Sequence, residues 1–325
     1  MTKKIRIGLV GYGNIGRGVE LALNQFPDIE GVAVFTRRDP EEVKSNLTVV
    51  SVDDILNYKN DIDVLILCGG SATDLPQQGP NLAKHFSTID SYDNHGKIPA
   101  YFEAMDTSAK NGGNVSIISV GWDPGLFSIN RALFEAVLPV GQTYTFWGKG
   151  LSQGHSDAIR RVSGVKQGVQ YTVPIGKALE EVRKGLNPTL STREKHMRIC
   201  YVVADEGANQ AEIEQTIKSM PNYFEPYETV VHFIDKKQFE KDHQQMPHGG
   251  FVIRTGESGT GNKQKSEFQL ELESNPEFTS SILVAYARAA VKFKKEQKKG
   301  AFSVLDVPMS YLSDKTPEQL RKELL

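Results

Sequence analysis

Cysteine is scarce in this sequence. The two present, Cys68 and Cys200, lie far apart and form no CxxC pair. That excludes a disulfide framework or a cysteine-built zinc cluster, and it fits a reducing compartment. The 7 histidines show no HExxH or similar spacing, so no metal site is expected. No uninterrupted apolar run reaches membrane-spanning length, and Met1-Thr2-Lys3-Lys4 leads directly into a strand-like segment, with no apolar leader. A cytoplasmic protein with no membrane association is therefore expected. Neither sign of charge dominates: 38 basic and 40 acidic residues leave a formal charge of −2, so no global field favours nucleic acid. The one dense basic run, Lys292 to Lys299, closes a helical segment, where it complements the helix dipole as a solvated end.

What is present points to a packed enzyme-sized chain. Hydrophobic residues at 39% against 24% charged exclude disorder as the default. A length of 325 residues suits two domains better than one core. The first 120 or so residues alternate strands and helices. Ile5–Val10 is an apolar strand, followed by a glycine turn and a helix to about Gln25. Gly31–Phe35, Thr48–Ser51, Asp63–Cys68, Ser87–Asp90 and Val115–Val120 read as further strands, with a helix over Asp53–Tyr58. The almost wholly apolar Asp63–Cys68 is expected to be buried on both faces, and strand–helix alternation predicts βαβ units in a parallel sheet.

The pattern changes after Trp122. A helix over Phe127–Leu138 and a strand over Thr143–Trp147 precede strand-like segments 165–173, 197–203, 228–234 and 250–255. In Lys265–Leu272, Phe268, Leu270 and Leu272 alternate with Glu267, Gln269 and Glu271, as in an antiparallel sheet with one wet face. Pro276–Lys298 is helical again, with proline in the first turn where its missing N–H costs little. The expected fold is α/β: a Rossmann-type domain of residues 1–122, joined again by about 276–325, and an α+β domain of 123–275.

Gly11-Tyr12-Gly13-Asn14-Ile15-Gly16 fits GxGxxG between a strand and a helix. In that setting Gly11 permits the tight turn, Gly13 lets a pyrophosphate approach the backbone, and Gly16 lets the helix pack on the strand. The second strand ends Phe35-Thr36-Arg37-Arg38 instead of in the acidic residue that an NAD ribose prefers. Two guanidiniums can clamp a 2′-phosphate, so NADP is the expected cofactor. Cys68-Gly69-Gly70-Ser71-Ala72, Ser91-Tyr92-Asp93 and Val120-Gly121-Trp122-Asp123-Pro124 follow later strands at the same edge and complete the expected cofactor contacts. Nothing near Cys68 activates its thiol, which reads as a small core residue.

Asp93 and Asp123 are the candidate catalytic residues, each placed to bind an ammonium or take its proton. Either one taken alone reads equally well as a cap or turn residue, and which is the base stays open.

Tyr92-Asp93-Asn94-His95, Gly121-Trp122-Asp123-Pro124-Gly125, Phe127-Ser128-Ile129-Asn130-Arg131 and Thr145-Phe146-Trp147-Gly148 resemble the meso-diaminopimelate dehydrogenases. So do Gly150-Leu151-Ser152-Gln153-Gly154-His155-Ser156-Asp157, Met246-Pro247-His248-Gly249-Gly250 and Asn275-Pro276-Glu277-Phe278-Thr279. These stretches run in order over nearly the whole chain. The resemblance implies a homodimer whose second domain binds substrate and dimerises. It implies reversible NADP-linked oxidative deamination of the D-centre of meso-2,6-diaminopimelate to L-2-amino-6-oxopimelate and ammonia, run in reverse for lysine biosynthesis. It also implies that Asp93, Trp122, Asp123, Trp147, Gln153, Gly154 and Asp157 surround the reacting end. Thr172, Arg198 and His248 would take the far carboxylate, with Asn275 adding a polar contact.

Two other readings remain open from the residues: another two-domain NADP oxidoreductase, or a non-catalytic NADP sensor. The sugar dehydrogenases carry Glu-Lys-Pro after the fifth strand, where this chain has Tyr92-Asp93-Asn94-His95.

Overall fold

A run such as Val64-Leu65-Ile66-Leu67 has no polar face to offer water, and the computed structural model buries all four side chains completely. The structure describes residues 4–221 and 223–325; Met1, Thr2 and Lys3, read above with the chain start, lie outside them. The chain divides into two compact units, residues 4–129 with 276–325, and Asn130–Asn275.

The first unit holds β1 (Ile5–Val10), β2 (Ile29–Thr36), β3 (Thr48–Ser51), β4 (Val64–Leu67), β5 (Thr88–Asp90), β6 (Val115–Ile117) and a C-terminal strand, Gly300–Phe302. Their order across one sheet is Gly300–Phe302, β6, β5, β4, β1, β2, β3, and every pairing is parallel. This is the doubly wound Rossmann order, whose ligands bind beyond the carboxyl ends of the strands. The register places those ends side by side: Val10 pairs with Phe35 and Leu67, and Leu67 with Asp90. The glycine turn, the paired arginines, the 68–72 loop and the 91–95 loop therefore all leave from one edge.

Helix Asn275–Lys295 brings a distant part of the chain onto this sheet. Ser280 Oγ donates to the Ile15 carbonyl at 3.0 Å, and Arg288 forks onto both oxygens of Asp28 at 2.8 and 2.6 Å. The basic run at its end is less solvated than its sequence predicts. Lys292 reaches the carbonyls of Ser310 and Ser313, and Lys294 those of the Gly113–Asn114 turn, so the lysines satisfy orphan acceptors.

The second unit holds two sheets. One has β8 (Gly150–Leu151), β9 (Val165–Pro174), β10 (His196–Ala204) and β11 (Glu228–Phe233); the other has β7 (Gly141–Trp147), β12 (His248–Ser258) and β13 (Asn262–Leu272). β7, β12 and β13 are antiparallel throughout, whereas β10 and β11 run parallel, so the unit is mixed.

The structure differs from the sequence expectation at several elements. Val52–Tyr58 is a 3₁₀ helix and not α: Ser51 Oγ caps Asp53 N, and a connector this short between strands favours the tighter winding. The strand expected over Val115–Val120 stops at Ile117, because Ser119 takes a left-handed φ of 57°. Helices Gly176–Arg183, Gln210–Lys218 and Lys236–Asp242 were not anticipated, since two turns carry too little period to stand out.

Packing between helix Asn14–Leu23 and helix Asn275–Lys295 is close enough to test. A Cβ on Gly18 would lie 2.5 Å from Ser280 Oγ and 3.1 Å from the Pro276 carbonyl. Gly18→Val should cost about 1–3 kcal/mol in urea unfolding; unchanged stability would mean that the two helices separate at no cost.

Candidate active site

The strand edge of the first unit forms a cleft of about 360 Å³, lined among others by Gly11, Tyr12, Gly13, Thr36, Arg37, Arg38, Cys68, Gly69 and Gly70. Gly11 has φ 92°, and a Cβ on Gly16 would meet the Gly11 carbonyl at 2.4 Å, so the turn closes only with glycine at both positions. Nothing lies within 4 Å of a Cβ on Gly13, which leaves the backbone open to a ligand. Asn14 and Ile15 open the helix, whose first turn carries neither a side-chain cap nor an acid. These N–H groups suit a pyrophosphate.

Arg37 and Arg38 stand at the mouth of this cleft. Arg38 Nη2 donates to the Tyr12 carbonyl at 2.8 Å, and its backbone N–H reaches Thr36 Oγ at 3.0 Å. Arg37 pairs with Asp74 at 2.7 Å, and the other oxygen of Asp74 accepts the Gly70 N–H at 2.9 Å. A carboxylate thus does stand near the arginines, supplied by residue 74 and not by the end of β2, where sequence reading looked for it. Burial pushes the Cys68 thiol up to about 12, which makes it inert.

Asp93 is exposed, its backbone N–H held by Ser71 Oγ at 3.1 Å, which ties the 68–72 loop to the 91–95 loop; Ala72 follows that anchor. Asp123 sits in a tight turn closed by a bridge between Trp122 and Gly125. A Cβ on Gly125 would fall 1.6 Å from the Gly121 oxygen at a φ of 136°, so glycine is obligatory there. Trp122 is buried edge-on against Phe127 at 5.2 Å, and Pro124 joins Asp123 through a cis peptide. Behind both loops lies Asp90, whose carboxylate accepts the backbone N–H of Tyr92 and of Ser119. Sequence reading treated Asp90 only as the end of a strand; Ser91 and Val120 flank the same junction.

In the second unit Thr172 and Arg198 face each other in register across β9 and β10, and Arg198 Nη1 donates to Thr172 Oγ. Gly150 pairs with Thr172 from the other side. A Cβ on Gly150 would meet the His248 ring at 2.4 Å, so the imidazole packs on bare backbone. His248 Nδ1 lies 2.8 Å from the Gly249 nitrogen, and in the tautomer that accepts this N–H the other ring nitrogen, Nε2, is the donor. Arg198 is buried, yet no ion pair to it is found among the described residues, and its Nε has no hydrogen-bond partner. The guanidinium lies 3.7 Å over the Tyr227 ring. Burial first, then Arg198, hold His155 and His196 neutral, lowered to about 4 and about 3. Tyr227 and His196 escaped sequence reading, since each sits in a stretch with no motif; His155 lies within the 150–157 motif but was given no role of its own.

Trp147 belongs to this group through His196, whose Nε2 accepts the Trp147 N–H at 2.8 Å while the rings stack at 5.2 Å. Gln153 Nε2 reaches Met246 Sδ at 3.2 Å, and Asn275 N–H reaches the Met246 carbonyl at 3.0 Å, so both border the His248 segment. Gly154 is exposed in the first turn of helix Gln153–Arg160, and Asp157 pairs with Arg160 on the same helix.

A family model for the diaminopimelic acid dehydrogenase C-terminal domain matches residues 121–274. A meso-diaminopimelate D-dehydrogenase of Ureibacillus thermosphaericus is 64% identical over 324 residues, covering 99% of both chains. The chain belongs to the meso-diaminopimelate D-dehydrogenase family. Among solved structures, a mutant meso-diaminopimelate dehydrogenase from Clostridium tetani with diaminopimelate superposes with a TM-score of 0.94 at 59% identity, covering 99% of this chain and 100% of that one. An engineered D-amino acid dehydrogenase bound to NADP+ superposes with a TM-score of 0.88 at 44% identity, again covering 99% and 100%.

In this family member the neutrality of His196 has a measurable consequence. Its folded pKa lies below the unfolded value near 6.5, so the unfolded chain takes up the proton first. Stability is complete above pH 6.5 and is lost as pH falls toward about 3. Urea unfolding at pH 7 and pH 5 should show the wild type losing about 2 kcal/mol more than His196→Gln, at about 1.4 kcal/mol per pH unit. Equal losses would mean that His196 is protonated in the fold.

Proposed function

We propose that this chain catalyses the reversible, NADP-linked oxidative deamination of the D-centre of meso-2,6-diaminopimelate. The products are L-2-amino-6-oxopimelate and ammonia, and the reverse reductive amination serves lysine biosynthesis. The observation that carries the reading is Arg198: a buried guanidinium with no acidic partner among the described residues. Such a group is costly unless an anion arrives, and a planar fork matches a carboxylate. Thr172 and the Nε2–H of His248 add donors to that carboxylate, and Asn275 a further polar contact.

The cofactor is NADP, and the residues of the cleft fit it. Gly11 to Gly16 and the helix N-terminus hold the pyrophosphate, Thr36, Arg37 and Arg38 the 2′-phosphate, and the loops from Cys68, Ser91 and Val120 the remainder. When bound, NADP+ accepts the hydride that leaves the D-centre carbon.

The chain's own residues bind, orient and move protons. Asp93 and Asp123 receive the ammonium of the reacting end and take its proton, so that the nitrogen lone pair can support the positive charge developing on carbon. Trp122 in the first unit, and Trp147, Gln153, Gly154 and Asp157 in the second, are the further candidates for binding and orienting that end. A substrate with two carboxylates and two ammoniums requires donors and acids in separate places, and the candidate residues divide that way.

A homodimer in the cytoplasm completes the proposal. Leu133, Val137 and Val140 remain 53%, 66% and 66% exposed in the isolated chain, an apolar group suited to a second copy. Among the described residues no helix is long and apolar enough to cross a membrane.

Two substitutions test the reading. Arg198→Met should lower kcat/KM for meso-diaminopimelate by about 100-fold or more while leaving NADPH affinity unchanged. Wild-type kinetics would remove Arg198 from the site. The Arg37→Ala, Arg38→Ala double variant should narrow the NADP over NAD preference by about 10- to 100-fold, read from the two kcat/KM values. An unaltered ratio would reassign the 2′-phosphate contact.

A further inference from the structure

One buried carboxylate has no part in the chemistry described so far. Asp90 ends β5 with 0% exposure, and among the described residues no cation pairs with it. Its Oδ1 accepts the N–H of Tyr92 at 3.0 Å and that of Ser119 at 3.2 Å. Its Oδ2 accepts the Tyr101 hydroxyl at 2.8 Å, and its carbonyl accepts the Val120 N–H at 2.8 Å. A single residue thus bonds to the backbone on both sides of the junction from which the 91–95 and 119–125 segments leave.

We infer that Asp90 is a positioning residue that sets the spacing of Asp93 and Asp123, an inference that rests on the roles proposed for those two aspartates. The first lies one residue beyond the Tyr92 N–H that Asp90 holds. The second follows Ser119, a non-glycine residue kept at φ 57° with its N–H turned onto the same oxygen. Without that acceptor, nothing compensates the left-handed turn at Ser119. The third donor is built in as firmly. The Tyr101 ring stacks on Tyr92 at 4.0 Å with planes 14° apart, and a Cβ on Gly79 would stand 2.4 Å from its hydroxyl. Glycine at 79 makes the room that lets the hydroxyl reach Asp90. From the opposite side Ser71 Oγ holds the Asp93 N–H, so the loop is braced at both of its first turns.

Burial pushes the Asp90 carboxyl up to about 6, while the three hydrogen bonds pull it down, so near neutral pH it is chiefly an acceptor. An uncharged side chain would fill the same space without burying charge. What it would lack is two oxygens able to accept from three donors at once.

The test compares kcat, NADPH affinity and melting temperature in five variants. Asp90→Ala should lower kcat about 100-fold at saturating meso-diaminopimelate and NADP+, the scale expected when reacting groups shift by about 1 Å. The dissociation constant for NADPH, from fluorescence titration, should change by about 10-fold or less, far less than kcat, because the phosphate contacts lie on other loops and the 91–93 and 120–124 segments carry only part of the cofactor contacts. Asp90→Asn, which keeps the shape and one acceptor, should recover kcat to within about 10-fold of wild type, and Tyr101→Phe should fall between the two. A purely structural role would lower the melting temperature and leave kcat unchanged well below it; that result overturns the inference. Should Asp90→Ala fail to fold, wild-type kcat in both Asp90→Asn and Tyr101→Phe overturns it equally. Asp93→Asn and Asp123→Asn run alongside. If both keep wild-type kcat, the reading of the site falls and this inference with it. If either lowers kcat while the Asp90 variants do not, only the positioning role falls.

Discussion

A guanidinium removed from water without a counter-ion is an unfinished interaction, and the second unit is organised around one. Arg198 has Thr172 beside it, the face of Tyr227 against it, and His155 and His196 held neutral nearby. Every neighbour tolerates the charge, and none cancels it. Buried charge of this kind destabilises a fold unless an anion pairs with it. The register makes the arrangement possible. Pairing β8, β9 and β10 with Gly150, Thr172 and Arg198 in one row puts a donor-rich face on a sheet, while the bare Gly150 leaves room for His248.

The first unit suits an anionic cofactor. Parallel strands that end level place several loops at one edge, where helix N–H groups and arginines gather. The acidic candidates, Asp93 and Asp123, lie on the later loops, after β5 and β6. Keeping the two signs apart matters, because an aspartate near the pyrophosphate would repel it. Asp74 is the instructive exception: it sits inside the cleft, but with Arg37 and the Gly70 N–H on its two oxygens. Burial raises its pKa, yet those partners outweigh burial and hold its carboxyl below the usual carboxylate range.

Much of the scaffold was legible in the residues. Thr48–Ser51 and Ile5–Val10 were read to the residue, because short apolar runs between turns have few alternatives. The glycine turn and the paired arginines were legible because each residue type has a narrow physical reason to be there. The cap of Val52–Tyr58 and the short helices of the second unit were not, since a two-turn helix owes its existence to what it packs against.

The sequence by itself determined the class: a parallel α/β sheet with a glycine-turn cleft, an arginine pair in place of an acid, and, through its ordered motifs, the family. Only the tertiary structure decided which polar residues act together. Tyr227, in the bend before β11, comes to Arg198 on β10, and Asp90 holds two loops whose anchoring N–H groups, on Tyr92 and Ser119, are far apart in the chain. Local patterning reflects periodicity and steric rules within a few residues, whereas electrostatic partnership depends on distance in space and on burial. Those two quantities exist only once the strands have chosen their register.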